Sequence, residues 1–398
     1  MKVNKWTNGL AAAGVVSLAS AAQAGDANET VMTAVSSTTL SGYVSTTAIW
    51  NPGTGNAASP GGSFLPGSGT GNDGFNLDVV SLSVSKPLDE SEWAAGYNAQ
   101  LWFGETVGSQ TAFAGGGAVG IKNANVELRV PVGNGLDLKM GIFDAIIGYE
   151  SGDFNGNPNY SRSYGWGLEP TTHEGLLASY AISDSVSVSA GIANTYSPTV
   201  AQTGAGAVAG AAESQKAYMA AIAVTLPDSL GFLSGGSIYA GVLDGLLGGS
   251  GAGTLADTTS IYAGAALPTP IEGLAAGIAF DYRFNGGPNT LSAAAGPAGS
   301  AWAYALAGYL SYDVTEKVAA HYRIDWAQGT DGTFGGGAIA NASTDKVLSN
   351  TVTIDYKAWE NVITRLEARW DHSLDAVSRY GITDRNDIQL FLNAIYQF

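Results

Sequence analysis

Only a few residues of this sequence have the types and spacing that site chemistry would require. The three histidines, His173, His321 and His372, are far apart, and cysteine is absent. Without cysteine there is no thiol nucleophile and no disulfide framework, and histidines so dispersed lack the short spacing of a metal-binding motif. His372 and Ser373 are neighbours, but successive side chains of an extended chain point to opposite faces, which disfavours a nucleophile–base pair. We therefore predict no enzymatic activity, no metal site and no cofactor.

A glycine-rich stretch, Gly69–Gly74, matches the G-x-G-x-x-G pattern of dinucleotide-binding loops. That pattern receives a pyrophosphate only where a helix begins directly after it, whereas the residues that follow here alternate like a strand. With 55 glycines in 398 residues, a chance match is expected. The acidic residues that could take calcium, Asp73, Asp78 and Asp331, lack the spacing of an EF-hand loop. Neither feature predicts a ligand.

Charged residues instead recur at every second position, between apolar ones. Apolar side chains occupy alternate positions from Trp93 to Phe103, from Leu274 to Phe284 and from Val318 to Trp326. Alternation with a period of two predicts strands that have one apolar and one polar face. The charged residues predicted on the polar faces are Glu127, Arg129, Asp281, Arg283, Arg323, Asp325, Arg365, Glu367 and Arg369.

The composition indicates β-structure in an unusual solvent. Hydrophobic residues make up 45% of the chain and aromatic residues 10%, which is too apolar for a disordered chain. The glycines lack the three-residue period of collagen. A formal net charge of −17 argues against a nucleic-acid partner, because phosphate binding needs a basic surface.

The N-terminal residues form a predicted secretory signal peptide. Lys2 and Lys5 precede an apolar stretch, Leu10–Ala22, and Ala22-Gln23-Ala24 is typical of a cleavage site. A membrane anchor is the weaker alternative, because the stretch is too short to span a bilayer as a helix. The predicted divisions are a cleaved signal peptide at 1–24, a short periplasmic segment at 25–38 and an outer-membrane β-barrel at 39–398.

The alternating pattern predicts about 16 strands, with roughly 14–18 as the range. The predicted segments are 39–50, 75–86, 92–104, 119–130, 136–147, 174–183, 185–197, 215–226, 235–245, 258–268, 273–285, 301–312, 317–327, 346–357, 361–371 and 386–398. Short connections alternate with long ones, as in outer-membrane barrels, which have short periplasmic turns and long external loops. A water-soluble sandwich gives no reason for this asymmetry. We therefore predict an all-β fold, an up-and-down antiparallel transmembrane barrel.

Aromatic residues lie near both ends of the predicted strands, on the apolar face. Trp93 and Phe103 are ten residues apart, as are Trp302 and Tyr312. At about 3.3 Å per residue and a tilt of about 40°, this separation covers about 25 Å, the height of the apolar band between two aromatic girdles. The predicted girdle residues are Trp93, Phe103, Phe284, Trp302, Tyr312, Trp326, Tyr356, Trp370 and Phe398.

A barrel of this size leaves room for an aqueous channel, so the sequence predicts passive diffusion of ions and small hydrophilic solutes. The connection 148–173 is long and rich in aromatic residues, which predicts that it folds into the lumen rather than forming an external lid. Arg162, with Glu150 and Asp153, is predicted to form a constriction in which Arg162 faces acidic groups across the pore. Charged rings are one route to ion selectivity, and the acidic external loops favour a weak preference for cations.

Several short motifs in this part of the chain resemble one family. Gly141–Asp144, Gly148–Glu150, Asn159–Ser163 and Pro170 followed by His173–Gly175 look like the middle of the OmpL-like porins, the putative β-barrel porin-2 family. The motifs span 141–175, while the general architecture covers the whole mature chain. The resemblance implies an outer-membrane pore and brings no particular functional residues.

The predicted location is the cell outer membrane, and the predicted partners are its lipid together with permeating ions and solutes. Phe398 ends an alternating strand, which resembles the signal read by the outer-membrane assembly machinery. A homotrimer fits the sequence, although no patch decides the oligomeric state. The alternative function is an adhesive or structural surface barrel that presents loops without a general pore.

Overall fold

The computed structural model describes residues 32–33, 36–52, 74–107, 111, 119–196, 216–248, 255–286, 301–330, 333–334, 344–375 and 385–398. The predicted signal peptide lies outside the described residues. Within the described ranges, no helix is long and apolar enough to cross a membrane.

The chain forms sixteen long strands that close into one barrel. The strands are β1 Thr39–Trp50, β2 Gly74–Lys86, β3 Ala95–Phe103, β4 Val119–Val130, β5 Leu136–Asp144, β6 Thr172–Ser183, β7 Val186–Ala193, β8 Ala217–Thr225, β9 Ser237–Gly248, β10 Leu255–Pro268, β11 Leu274–Gly286, β12 Ala301–Asp313, β13 Val318–Thr330, β14 Thr344–Tyr356, β15 Val362–Ser373 and β16 Asn386–Gln397. Three 3₁₀ turns, Phe154–Gly156, Trp166–Leu168 and Asp228–Leu233, and a two-residue ladder between Met32–Thr33 and Ser36–Ser37 complete the described elements.

Each strand pairs antiparallel with its neighbours in sequence, and β16 pairs with β1 to close the sheet. The closure continues to the last residue, because the Phe398 N–H donates to the Gly42 carbonyl at 3.0 Å and the Gly42 N–H donates to the Phe398 carbonyl at 2.9 Å. Closure removes the sheet edge, whose unpaired backbone groups would be costly in hydrocarbon. The predicted strand number and antiparallel barrel are confirmed.

The two faces of the sheet differ as the alternation predicts. On β12, Leu306 and Leu310 are exposed on the outer face, whereas Ala303 and Ala305 are buried on the other. The buried face is the inner one, because residues of that face on β1, β11 and β15 all contact the single connection between β5 and β6. The predicted girdle aromatics lie on the outer face or on the turns beside it.

Some strand boundaries differ from the prediction. The predicted strand at 136–147 ends at Asp144, since the next residues, Ala145–Ile147, turn inward and are buried. The predicted strands at 92–104 and 185–197 are also shorter, at 95–103 and 186–193. In contrast, β9 and β10 extend towards each other, so the connection 249–254 is short and the strict alternation of loop lengths fails there.

Candidate functional site

The connection between β5 and β6, residues 145–171, folds into the lumen, and we call it the inward loop. Its base is closed by the Ala145 N–H, which donates to the Thr171 carbonyl at 3.0 Å. Gly148 has a φ of +120°, which favours glycine, and a side chain there would place its Cβ 2.2 Å from the Glu169 carboxylate. The sequence therefore fixes the point at which the chain bends into the barrel.

The first part of the inward loop packs on an apolar half of the lumen wall. Ile146 and Ile147 belong to a buried cluster with inward residues of β5 to β12. Tyr149 stacks on Tyr309 with the ring centroids 4.2 Å apart, and the Tyr239 hydroxyl donates to the Ile146 carbonyl. Burial of these side chains supplies the hydrophobic attachment of the loop.

The middle of the loop crosses to the opposite side of the barrel. The Tyr160 ring lies 5.1 Å from the Phe391 ring, and its hydroxyl donates to the Asp78 carboxylate at 2.8 Å. The Tyr43 hydroxyl donates to the Asp153 carboxylate at 2.9 Å. Partial burial raises the pKa of Asp153 above its ordinary value. The loop thus spans the lumen between two parts of the wall.

A third set of contacts joins the loop to charged residues of β13 to β15. The Arg323 guanidinium donates to the Glu150 carboxylate at 2.8 Å and to the Ser161 carbonyl at 2.7 Å. The Glu367 carboxylate accepts the N–H groups of Tyr160 at 2.6 Å and Ser161 at 2.9 Å. Because each buried charge has an opposite charge or backbone dipole beside it, the desolvation penalty is offset.

Two more inward charges complete this network. The Asp325 carboxylate accepts the Tyr164 N–H at 2.9 Å. The Arg369 guanidinium bonds Asp371 at 2.7 Å and donates to the Arg162 carbonyl at 2.5 Å. Arg323, Asp325, Glu367 and Arg369 are all at most 1% exposed. These residues face inward and the inward loop covers them, so their role as pore-lining charges stays a prediction.

Arg162 does not face acidic groups across the pore, as the sequence predicts, but lies inside the inward loop. Its side chain is fully buried, with its guanidinium 5.7 Å from the Phe154 ring and 5.5 Å from the Trp166 ring. It donates to the Tyr160 carbonyl at 3.0 Å rather than facing acidic groups across a pore. Burial lowers the pKa of Arg162. Because the rings and carbonyls that enclose it belong to the loop itself, Arg162 organises the loop from within.

The remaining predicted charges occupy other levels of the lumen. Beside the short turn between β4 and β5, Lys139 pairs with Glu127 at 3.1 Å, and Arg129 pairs with Asp137 at 2.7 Å; each of these side chains is about one-quarter exposed or less. Arg365 is buried, donating to the Phe154 carbonyl at 2.8 Å. The two inward charges of β11, Asp281 and Arg283, lie against the returning end of the loop, where Arg283 donates to the Leu168 carbonyl at 3.2 Å.

The sequence interpretation missed two charged residues that irregularities in the strands turn inward. The β3–β4 register skips Lys122, and the β1–β2 register skips Asp78. Such bulges interrupt the alternation and re-aim a side chain. Lys122 pairs with Asp144, and Asp78 accepts hydrogen bonds from Ser45 and Thr47. A charge at an outward position of an otherwise regular strand is the signal that could have revealed each bulge.

The bulge at Lys122 builds a polar chain from the wall to the loop. Asn123 donates to Asp144 at 3.3 Å and to the Gln100 side-chain carbonyl at 3.0 Å, while Gln100 donates to Asp153 at 2.9 Å. The Lys122 side chain is 1% exposed, whereas that of Asp144 is 27% exposed. The group that faces water here is therefore a carboxylate. In the described part of the chain, no cluster of three or more His, Cys, Asp or Glu residues could hold a metal.

A closed sixteen-stranded sheet with an apolar outer face and a loop folded inside it defines an outer-membrane β-barrel of the porin class. The family model described as putative beta-barrel porin-2, OmpL-like, matches residues 37–398, and the chain belongs to this family. Its location is accordingly the outer membrane. No curated protein matches the chain by sequence.

Solved porin structures share the fold at low sequence identity. The anion-selective porin from Comamonas acidovorans is 12% identical, with a TM-score of 0.59 over 91% of this chain and 99% of that one. The outer-membrane channel DcaP of Acinetobacter baumannii is 14% identical, with a TM-score of 0.56 over 91% and 97%. The trimer form of OmpT from Vibrio cholerae is 12% identical, with a TM-score of 0.57 over 91% and 99%. These likenesses establish the architecture alone.

The outer face carries a testable consequence of this membership. Leu306 is 43% exposed on the outer face of β12, between Trp302 and Tyr312. We expect Leu306→Arg to lower the free energy of unfolding by about 2–4 kcal/mol, because an arginine would face lipid near the bilayer midplane. Ser83→Arg, which faces the lumen on β2, is the control. Urea unfolding in lipid vesicles measures both, and equal losses would contradict the assignment of the two faces.

Proposed function

We propose that this porin forms a water-filled channel for passive diffusion of ions and small hydrophilic solutes, narrowed by the inward loop. The observation that carries the proposal is the bonding of the loop to the wall through Arg323, Glu367 and Arg369, which holds it across the lumen. Sixteen strands enclose more space than their own side chains fill. A loop of this length occupies part of that space and leaves a restricted passage.

The inward residues of β2 to β6 support an aqueous path beside the loop. Ser83, Asn98 and Ser179 are half-buried and polar, and the wall also carries Gly141 and Gly175, which have no side chains to obstruct it. Farther towards the periplasm, the Glu127–Lys139 and Arg129–Asp137 pairs are in part exposed. Small polar groups and exposed ion pairs favour hydrated solutes over apolar ones.

The exposed charges near the loop favour a weak preference for cations. The arginines of β13 and β15 are at most 2% exposed, so their charge is directed to the loop rather than to water. Asp144, in contrast, is 27% exposed, and Asp153 is half-buried. Permeating ions would therefore meet carboxylates first, and a local negative potential raises the concentration of cations.

Planar-bilayer recordings of the refolded mature protein test this function. Stable conductance steps under a salt gradient are expected, with a reversal potential of the sign that a cation preference gives. Absence of steps from a protein whose gel band shifts on heating would contradict the channel and would favour the alternative, a structural or adhesive surface barrel.

Asp144→Asn is expected to move the reversal potential towards anions. The change removes a partly exposed carboxylate and leaves the buried ammonium of Lys122 without its partner, so both effects act in one direction. Asp313→Asn, at the exposed end of β12, is the matched control and should leave the reversal potential unchanged. An equal shift in the two variants would mean that overall charge, not the position of Asp144, sets selectivity.

The remaining proposals concern export and assembly. A cleaved signal peptide at 1–24 would deliver the chain to the periplasm, and the segment at 25–38 would stay there. The terminal strand ending at Phe398 would be read by the outer-membrane assembly machinery. The trimer form of the similar OmpT supports a homotrimer here, which chemical cross-linking of the membrane-inserted protein would test.

A further inference from the structure

Two carboxyl side chains meet where the inward loop returns to the wall. Glu169 follows the 3₁₀ turn Trp166–Leu168, and its side chain is hydrogen-bonded to that of Asp281 on β11. Each carboxyl group covers a glycine of the loop. A Cβ at Gly148 would lie 2.2 Å from Glu169 Oε2, and one at Gly165 would lie 2.3 Å from Asp281 Oδ2. The acid pair therefore lies against both limbs of the loop.

The surroundings do not neutralise this pair directly. Glu150 is a further acid that acts electrostatically on both members of the pair, and its own charge is paired with Arg323 at 2.8 Å. The Arg283 guanidinium donates to the Leu168 carbonyl at 3.2 Å and lies 5.9 Å from the Tyr196 ring. The other titratable groups that face the pair are the phenols of Tyr196 and Tyr262. In the described ranges, neither Glu169 nor Asp281 forms an ion pair.

Two carboxyl groups can share a hydrogen bond only while one of them keeps its proton. Burial, together with the neighbouring Asp281 carboxylate, raises the pKa of Glu169 well above its ordinary value. The pair can therefore remain protonated at a pH where an exposed glutamate would be ionised.

We propose that the proton shared by Glu169 and Asp281 fastens the returning end of the inward loop to the wall, and that alkaline pH releases this end and widens the passage. Glu169 and Asp281 are positioning residues, since they act on permeation through the loop. The inference rests on the proposed channel function and adds its regulation.

The direction of the effect follows from proton linkage. The docked loop binds the proton more tightly than a released loop would, because only the docked state has the raised pKa. The docked loop therefore becomes less stable relative to the released loop as the pH rises from the ordinary pKa of glutamate, about 4.3, towards the raised pKa. Loss of one proton changes the ratio of docked to released loop by up to roughly tenfold per pH unit in that window.

The test compares single-channel recordings of the wild-type mature protein at about pH 6 and about pH 9. Both values lie above the ordinary pKa of an exposed carboxylate, so exposed carboxylates are ionised in both recordings. We expect a larger mean conductance, or more time in a higher level, on the alkaline side. Glu169→Gln and Asp281→Asn keep the shape and the hydrogen-bonding capacity but remove the ionisable group, so each should abolish the alkaline rise. Glu272→Gln, exposed on the β10–β11 turn, should retain it.

The outcomes separate the two proposals. Conductance steps that do not depend on pH, or a rise that survives in both Glu169→Gln and Asp281→Asn, overturn the inference and leave the channel in place. Absence of steps at every pH removes the proposed function instead. Because two independent variants carry the test, and heat-modifiable migration reports the folding of each, one misfolded variant does not decide the outcome.

Discussion

Excising residues 150–168 and bridging the gap with a short Gly/Ser linker is expected to raise single-channel conductance several-fold. The segment carries side chains that reach across the lumen, such as Tyr160, which packs against Phe391, and Tyr164, whose hydroxyl donates to the Asp371 carboxylate at 2.7 Å. The backbone bond from Ala145 to Thr171 closes the base of the loop outside the excised residues, so β5 and β6 can remain paired. Without the segment, a barrel of sixteen strands encloses an open aqueous lumen.

Arg162→Ala is the point-mutant counterpart of this excision. The guanidinium is enclosed by Phe154, Trp166 and the Tyr160 carbonyl, so its loss leaves a cavity and an unpaired carbonyl inside the loop. We expect a smaller rise in conductance with more frequent transitions between levels. Lys317→Ala removes a cation from an exposed turn and should change neither quantity. Unchanged conductance in both the excision and Arg162→Ala would mean that the loop does not limit flow.

Arg323→Leu is expected to be the most destabilising single substitution in the network, costing about 3–5 kcal/mol, because it removes one partner of a buried ion pair. It would leave the Glu150 and Asp325 carboxylates buried beside an apolar side chain, and it would also remove the bond to the Ser161 carbonyl. We expect this loss of stability to appear in two ways, as release of the inward loop from the wall and as easier unfolding of the barrel.

The matched comparison is Arg129→Leu. Arg129 pairs with Asp137 at 2.7 Å, but its side chain is 25% exposed, so solvent screens the pair. We expect a cost below about 1 kcal/mol. Protease sensitivity of the loop and the denaturant midpoint of the heat-modifiable band measure the two components. Similar losses in the two variants would show that burial beneath the loop does not strengthen the Arg323 contacts.

The strands and the orientation of most inward charges could be predicted from the sequence alone. In a sheet, successive side chains point to opposite faces, so a local pattern such as Val318–Trp326 is enough to place Arg323 and Asp325 on the same side. Lipid on the outer face favours apolar residues, and the polar surroundings on the inner face favour polar residues, so each strand position carries information about its face. The pattern therefore needs no knowledge of distant parts of the chain.

Tertiary structure alone determines the two bulges and the contacts of the inward loop. Lys122 and Asp78 turn inward because the partner strands skip them, and a single strand does not reveal its partner's register. The sequence predicts that Arg162 faces acidic groups across the pore, because its charge is evident from the sequence. The Phe154 and Trp166 rings and the Tyr160 carbonyl that enclose it are evident only in the folded loop. The contacts that settle these positions join residues far apart in sequence, such as Tyr160 with Glu367 and Arg369 with Arg162. The alternation of residues along a strand determines which face of the sheet each side chain occupies. Contacts between the inward loop and strands distant in sequence form only when the barrel closes around the loop.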